Sequence, residues 1–170
     1  LIGTGMRCGK ESLHIKWKHI EWYTDTNTDK RYLRIWVSGK TGSRLLIAKH
    51  NVRETLERLI SRENLFKGKD LDTVLAEKHD VYLFKYSNGE QPKSFHTTFI
   101  WLMKASGLIK DTATGQNRTL YSLRHTYATL ELIENRTDLH TLAKQMGTSV
   151  GMIEKHFSKL TTTLAAERLA

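Results

Sequence analysis

The sequence has few of the features that cross-link a chain or place it in a membrane. Its one cysteine, Cys8, excludes an internal disulfide and is expected to be a small core residue, as suits a reducing compartment. No apolar run approaches the ~20 residues that span a bilayer, and no signal-peptide pattern is present. These absences predict a globular protein of the cytoplasm.

Acidic residues are also fewer than basic residues. The 170 residues include 27 Lys and Arg against 18 Asp and Glu, a formal charge of +9 at pH 7. Such an excess favours a polyanionic partner, with nucleic acid first, although a basic protein with no such partner has the same balance. The eight histidines are scattered and no carboxylates have ligand spacing. We therefore expect neither a metal nor a cofactor.

The local patterns predict a small sheet among helices. Apolar and polar residues alternate over residues 32–38, Gly39–Gly42 supplies a turn, and Leu45–Ile47 returns, which predicts an antiparallel hairpin. Trp22–Thr24 is the expected third strand. Elsewhere, as over residues 52–60, apolar residues recur every three or four positions, which predicts helices. The prediction is one α+β domain over residues 1–170, mainly helical, with a three-stranded antiparallel sheet.

Several aromatic and capping residues receive structural interpretations. Tyr127 is expected in the core, on one helix stripe with Leu123 and Leu130. Ser149 is expected to cap a helix that carries Ile153 and Phe157. The four tryptophans are interpreted as core or sheet-face residues: Trp17, Trp22, Trp36 and Trp101.

Three stretches place a cation beside a turn or a helix start: Thr4–Arg7, Ser38–Gly42 and Tyr121–Thr126. A protein that acts on a phosphodiester without a metal needs fixed donors to stabilise charge on the phosphoryl oxygens. Arginine suits this role because its planar fork binds two phosphate oxygens and stays charged. The hypothesis is a phosphate site around Arg7, Lys40 and Arg124.

These stretches carry a resemblance to a known family. Thr4-Gly5-Met6-Arg7 resembles the first-arginine box of the tyrosine recombinases of the phage-integrase type, and residues 39–44 are similar to the hairpin that presents their catalytic lysine. Residues 120–129 resemble the second-arginine box, and residues 146–149 and 153–158 the segment that leads to the nucleophile. The resemblance covers nearly the whole chain in order.

The resemblance implies a mechanism. A tyrosine of the family attacks the scissile phosphate of DNA, forms a 3′-phosphotyrosyl link and releases a 5′-hydroxyl. Arg7 and Arg124 would then clamp the non-bridging oxygens, and Lys40 would protonate the leaving oxygen. The resemblance also implies a bacterial or phage-encoded protein acting on duplex DNA at an attachment site.

Assembly is a further expectation from the family. Its members form dimers and tetramers on DNA, often by lending a C-terminal segment to a neighbour. Residues 160–170 would be that segment, or would fold back on their own chain. An upstream domain that completes the DNA clamp is expected to be missing from this chain.

Three positions depart from the family pattern. Tyr121 stands where the family often has histidine, and Thr148 where it usually has histidine or tryptophan. Phe157 stands at the nucleophile position, and a benzene ring has no oxygen to attack phosphorus, so cleavage is expected to be lost. Whether Phe157 is a deliberate replacement or natural decay of the gene stays open.

Other interpretations compete. Residues 142–153 have the spacing of a helix-turn-helix, so a non-enzymatic regulator is one alternative, and an accessory recombination protein that binds without cleaving is another. Arg7 alone is typical of an ion-paired surface residue, and Lys40 of a solvated turn. His125 is either a hydrogen-bonded structural histidine, which is favoured, or a phosphate ligand. His156 is expected to face solvent.

Overall fold

The computed structural model describes residues 1–39, 42–134 and 137–156. The chain divides into two compact units. The sheet unit comprises residues 9–94, and the helical unit comprises residues 1–8 together with the described residues from 95 onward. The single domain expected over residues 1–170 stays a prediction.

The sheet unit is organised by three antiparallel strands. Strands β1 (Ile20–Thr24), β2 (Arg31–Gly39) and β3 (Gly42–Ile47) pair in the order β1-β2-β3, which confirms the predicted sheet. Ile35 of β2 lies opposite Ile20 on β1 and Leu46 on β3. These three side chains are at most 2% exposed, so one face of the sheet lies in the core.

Short helices complete this unit. They are α1 (Lys10–Leu13), α2 (Asn51–Arg62), α3 (Leu71–Ala76) and two 3-10 turns, Trp17–His19 and Asn64–Phe66. Helix α2 was predicted, whereas α3 was missed. The signal for α3 is Asp70, whose carboxylate accepts the Thr73 N–H at 2.8 Å and caps the helix.

A largely buried ion pair joins Glu11 of α1 to Arg44 of β3. The two carboxylate oxygens of Glu11 each accept a hydrogen bond from Arg44, both at 2.8 Å. Gly39, the last residue of β2, lies so close that a Cβ there would stand 2.8 Å from Glu11 Oε1. Glycine at 39 therefore lets the strand end approach the carboxylate.

The helical unit contains α4 (His96–Ala105), α5 (Leu120–Ile133), α6 (Leu139–Met146) and a helical segment over residues 150–156, called α7. As predicted, Ser149 caps α7, since its hydroxyl accepts the Met152 N–H at 3.2 Å. The core of this unit joins α5, α6 and α7 through six buried residues: Tyr127, Ala128, Leu142, Ala143, Met146 and Ile153. The interpretation of Tyr127 as a core residue is thereby confirmed.

One tryptophan was interpreted wrongly. Trp17 is buried, and Trp22 and Trp36 lie on the sheet, but Trp101 on α4 is 68% exposed. Phe99 takes the inward position of that helix instead. Side chains two positions apart on an α-helix point in directions about 200° apart around the helix axis. Phe99 and Trp101 therefore cannot both face the core.

The architecture confirms the predicted α+β class, with helices and one small antiparallel sheet. Over residues 1–39, 42–134 and 137–156, we find no helix with both the length and the apolarity needed to cross a lipid bilayer.

Candidate functional site

Arg124 is the buried centre of the site. It lies on α5, is 3% exposed, and donates hydrogen bonds to the carbonyl oxygens of Gly5 and Met146, the latter at 2.6 Å. Met146 is the last residue of α6, where the helix dipole carries its negative end, so this carbonyl stabilises a guanidinium. Arg124 thus ties the N-terminal segment to α5 and α6.

Arg7 reaches the same helix end. Its guanidinium donates to the carbonyl oxygen of Gly147, the residue that directly follows Met146. Because consecutive Cα atoms lie only about 3.8 Å apart, the guanidinium groups of Arg7 and Arg124 stand within roughly 10 Å of each other. The structure therefore brings together these two predicted site residues, which are far apart along the chain.

Gly5 makes this arrangement sterically possible. Its φ is +64°, and a Cβ there would stand 2.5 Å from two ring carbons of Tyr127. The Gly5 N–H closes its turn by donating to the Leu1 carbonyl at 2.9 Å. The side-chain amide of Gln145 also holds the turn, because it donates to the Thr4 carbonyl at 3.1 Å. Glycine at this position lets the segment pack against α5 and offer its carbonyl to Arg124.

A small pocket opens beside Arg124 in the helical unit. Its volume of about 30 Å³ accommodates one or two water-sized groups. Among the described residues that line it, none is acidic, which favours an anion. The lining consists of Tyr121, Arg124, His125, Met146, Thr148, Met152, Ile153 and His156. Four predicted site residues, Tyr121, Arg124, His125 and Thr148, thus meet at one pocket.

Three rings stand in series at the pocket. The His125 ring centroid lies 5.0 Å from that of Tyr121 and 5.9 Å from that of His156, with an edge-on arrangement in both pairs. Burial lowers the pKa of His125 below its usual value, and repulsion from His156 and Arg124 lowers it further. His125 is therefore largely neutral at neutral pH while no anion is bound.

Tyr127 lies on the same helix as Arg124, but its environment is unsuitable for a nucleophile. Burial raises its pKa to about 12, and the nearby Glu131 carboxylate adds to the shift, against a hydrogen bond with Gln145. Its side chain is 5% exposed. A buried phenol that holds its proton so firmly is a poor attacking group.

Some of the predictions fall outside the described residues. They concern the site residues Lys40 and Phe157 and the predicted contact segment, residues 160–170. Strands β2 and β3, which flank Lys40 in the sequence, are described in the sheet unit. The roles assigned to these residues stay predictions.

His156 is the pocket residue that sequence reasoning undervalued. It is exposed, as expected, yet it lines the pocket and stacks edge-on with His125. The available signal was its spacing of three from Ile153, because residues three apart share a helix face and Ile153 is buried. Within the described parts of the chain, no group of three or more His, Cys, Asp or Glu side chains is suited to a metal ion.

Comparison with solved structures places the fold. The chain is similar to the XerH site-specific recombinase, solved with a palindromic difH substrate in a post-cleavage complex. The TM-score is 0.63 and the identity 18%, over 98% of this chain and 42% of that one. Neither a protein-family model nor a curated protein sequence matches the chain.

A second similar structure is the Tn1549 transposon integrase in complex with circular intermediate DNA, with a TM-score of 0.56 and 21% identity over 100% of this chain and 57% of that one. A variant of that integrase with one tyrosine replaced by phenylalanine, in complex with transposon right-end DNA, gives a TM-score of 0.56 and 20% identity over 99% of this chain and 56% of that one. The chain thus spans about half the length of these proteins. It has the α+β fold of tyrosine-recombinase catalytic domains.

Proposed function

We propose that this chain belongs to a site-specific DNA recombinase and binds the DNA phosphate at the pocket beside Arg124. The observation that carries the proposal is the meeting of Arg124, Tyr121 and Thr148 at a pocket without acidic lining among the described residues. The fold shared with recombinases solved on DNA supports the same conclusion.

The chemistry follows from the charges. A phosphodiester that approaches the pocket places its non-bridging oxygens near two fixed guanidinium groups, those of Arg7 and Arg124, which stabilise developing negative charge. The hydroxyls of Tyr121 and Thr148 add neutral hydrogen bonds. The resemblance assigns to Lys40 the protonation of the leaving 5′ oxygen. In a chain with tyrosine at position 157, the product would be a 3′-phosphotyrosyl intermediate.

Phe157 makes this chain a binder that does not cleave. The phenylalanine ring keeps the shape of tyrosine but lacks the attacking oxygen. The phenylalanine variant of the Tn1549 integrase is solved on transposon right-end DNA, which supports the idea that binding survives such a replacement.

The test has two stages. A pool of randomised DNA duplexes is first selected for binding to the unaltered chain. The selected duplex, nicked so that cleavage traps the enzyme, is then incubated with the Phe157→Tyr variant. We expect a protein–DNA adduct that survives denaturant with Phe157→Tyr and none with the unaltered chain. Binding without any adduct from a folded variant would favour an accessory DNA-binding protein. Failure to select any duplex that binds the chain would refute both functions.

A helix-turn-helix regulator is the second candidate, because α6, the turn at Gly147–Ser149 and α7 have that connectivity. The exposed residues at the start of α7 argue against it, since Gly151 and Met152 offer base edges no hydrogen-bonding side chain. The Arg7→Ala variant separates the two. A regulator would keep its affinity for the selected duplex, whereas the recombinase-type site loses a phosphate ligand. Arg53→Ala, at an exposed position of the sheet unit, is the control for loss of one charge.

Assembly on DNA is part of the same proposal. Copies of the chain would form dimers or tetramers on an attachment site through residues 160–170. Sedimentation of the chain with and without the selected duplex tests this. A variant lacking residues 160–170 is expected to bind DNA as a monomer, and unchanged assembly by that variant would exclude the segment as the contact.

A further inference from the structure

We propose that His125 and His156 act together as a proton-linked ligand of the phosphate, so that the chain takes up protons when it binds DNA. This inference deepens the proposed function and rests on it. Its structural basis is the placement of two imidazoles, from α5 and α7, at the same small pocket as Arg124.

The geometry allows both rings to serve one anion. The ring centroids of His125 and His156 lie 5.9 Å apart, and both rings line the pocket. A phosphate is too large for a space of about 30 Å³, so it binds at the mouth with one oxygen inside. Imidazolium groups on either side of that oxygen donate charge-assisted hydrogen bonds to the anion.

The surrounding charges make protonation depend on the anion. On α5, Tyr121 and Arg124 face the pocket with His125, and His156 is the titratable group that α7 contributes to the lining. His125 also lines a groove with Asp111 and Arg118, which are paired with each other at 3.2 Å. Arg124 and His156 therefore oppose a positive charge on His125 until a phosphate offsets the repulsion.

The direction of the pH dependence follows. In the free chain the pKa of His125 lies below its usual value because of burial and then of repulsion from His156 and Arg124. A bound phosphate favours the protonated imidazole and raises this pKa. Affinity for DNA is then highest at pH values below the pKa that His125 has in the free chain. It falls as the pH rises toward the higher pKa that His125 has in the complex. Each unit between the two values corresponds to about a tenfold change in affinity.

The experiment measures the affinity of the selected duplex by fluorescence anisotropy from about pH 5.5 to about pH 8, the interval in which histidine titrates, at constant ionic strength. We expect the dissociation constant of the unaltered chain to rise by about tenfold or more across this interval. His125→Gln and His156→Gln should each bind more weakly at the acidic end and show a flatter curve. The loss of affinity relative to the unaltered chain should become smaller as the pH rises.

A control variant distinguishes the effect of His125 and His156 from the general gain in affinity that protonation of any histidine gives. His140→Gln removes an exposed histidine of α6 that does not line the pocket, so its curve should retain the slope of the unaltered chain. Position 156 is exposed, so His156→Gln is informative even if the replacement at the half-buried position 125 impairs folding. Identical curves for His156→Gln and His140→Gln would overturn the inference and leave the proposed function standing. Absence of DNA binding at every pH would overturn both.

A second readout locates the anion directly. Sulfate is the probe, because it mimics a phosphate and does not titrate near neutral pH. Proton NMR titrations of the imidazole resonances, in sulfate and in chloride of equal ionic strength, give the pKa of each histidine. Sulfate should raise the pKa of His125, shift the imidazole resonances of His156 and leave the resonances of His140 unchanged. Equal effects on all three would exclude a local site.

Discussion

Arg7 and Arg124 donate hydrogen bonds to consecutive carbonyl groups, those of Gly147 and Met146, at the C-terminal end of α6. The last carbonyls of a helix have no partner within it, and Gly147, with φ +63°, turns the chain there. The two guanidinium groups satisfy these carbonyls, and Arg124 also lines the pocket. The contacts that close the helical unit therefore also bring together the residues of the proposed phosphate site.

Replacing Arg124 with lysine should destabilise the protein. A lysine ammonium is compact and cannot span the carbonyls of Gly5 and Met146 as the guanidinium fork does. We expect Arg124→Lys to lower the free energy of unfolding by about 2–3 kcal/mol in urea denaturation, the value of one buried charge-assisted hydrogen bond. Arg118→Lys is the matched control, because Arg118 also donates to two carbonyls but is partly solvated. Equal losses would show that burial of Arg124 does not matter.

Because Gly5 packs closely against the Tyr127 ring, replacing Gly5 should destabilise the protein more than its backbone conformation alone predicts. Gly5→Ala would place a methyl group 2.5 Å from the Tyr127 ring at a φ of +64°. Gly115→Ala, at φ +68° with open space around it, has only the conformational cost, about 1–2 kcal/mol. Overpacking should add about 1–3 kcal/mol at Gly5, measured as the difference in the free energy of unfolding between the variants. Similar values for both would contradict the packing of Tyr127 on this turn.

Loss of the Glu11–Arg44 ion pair should destabilise the protein more than loss of an ion pair that is more accessible to solvent. Glu11→Gln leaves the Arg44 guanidinium, with a side chain 14% exposed, without its anionic partner, and we expect a loss of about 3 kcal/mol of unfolding free energy. Glu21→Gln breaks the more solvent-accessible pairs of Glu21 with Arg34 and Lys78, and it should cost less, about 1 kcal/mol. Urea denaturation of both variants gives the comparison. A small effect of Glu11→Gln would mean that the carboxylate is dispensable for folding.

Tyr127 should contribute an alkaline loss of stability. Its pKa is raised to about 12, mainly by burial, whereas an unfolded tyrosine titrates near pH 10. The unfolded chain therefore loses this proton first. The associated stability is fully present below about pH 10 and declines by roughly 1.4 kcal/mol per pH unit until about pH 12.

Denaturation of the unaltered chain and of Tyr127→Phe at several alkaline pH values isolates this contribution. Tyr127→Phe should show a shallower decline over that interval. Tyr86→Phe, which alters a tyrosine that is 56% exposed, should follow the unaltered chain. Parallel curves for the unaltered chain and Tyr127→Phe would show that the phenol titrates normally.

Local patterns were sufficient for most of the fold. The alternation over residues 32–38 predicted β2 and its pairing with β3, because a strand with one buried face must alternate. The three- and four-residue spacings predicted α2 and the core position of Tyr127. Helix α3 was missed because a six-residue helix shows too little periodicity, and Trp101 was misplaced because hydrophobicity alone does not say which side of α4 is buried.

The sequence by itself determined most of the secondary structure, the basic charge and the residue types of the site, because these follow from near neighbours along the chain and from composition. Only the tertiary structure decided that Arg124 is held by Gly5 and Met146, and that His156 stands against His125. Such contacts depend on distances of a few ångströms between residues on different segments. Those distances are set by how the helices pack, which no spacing along the chain records.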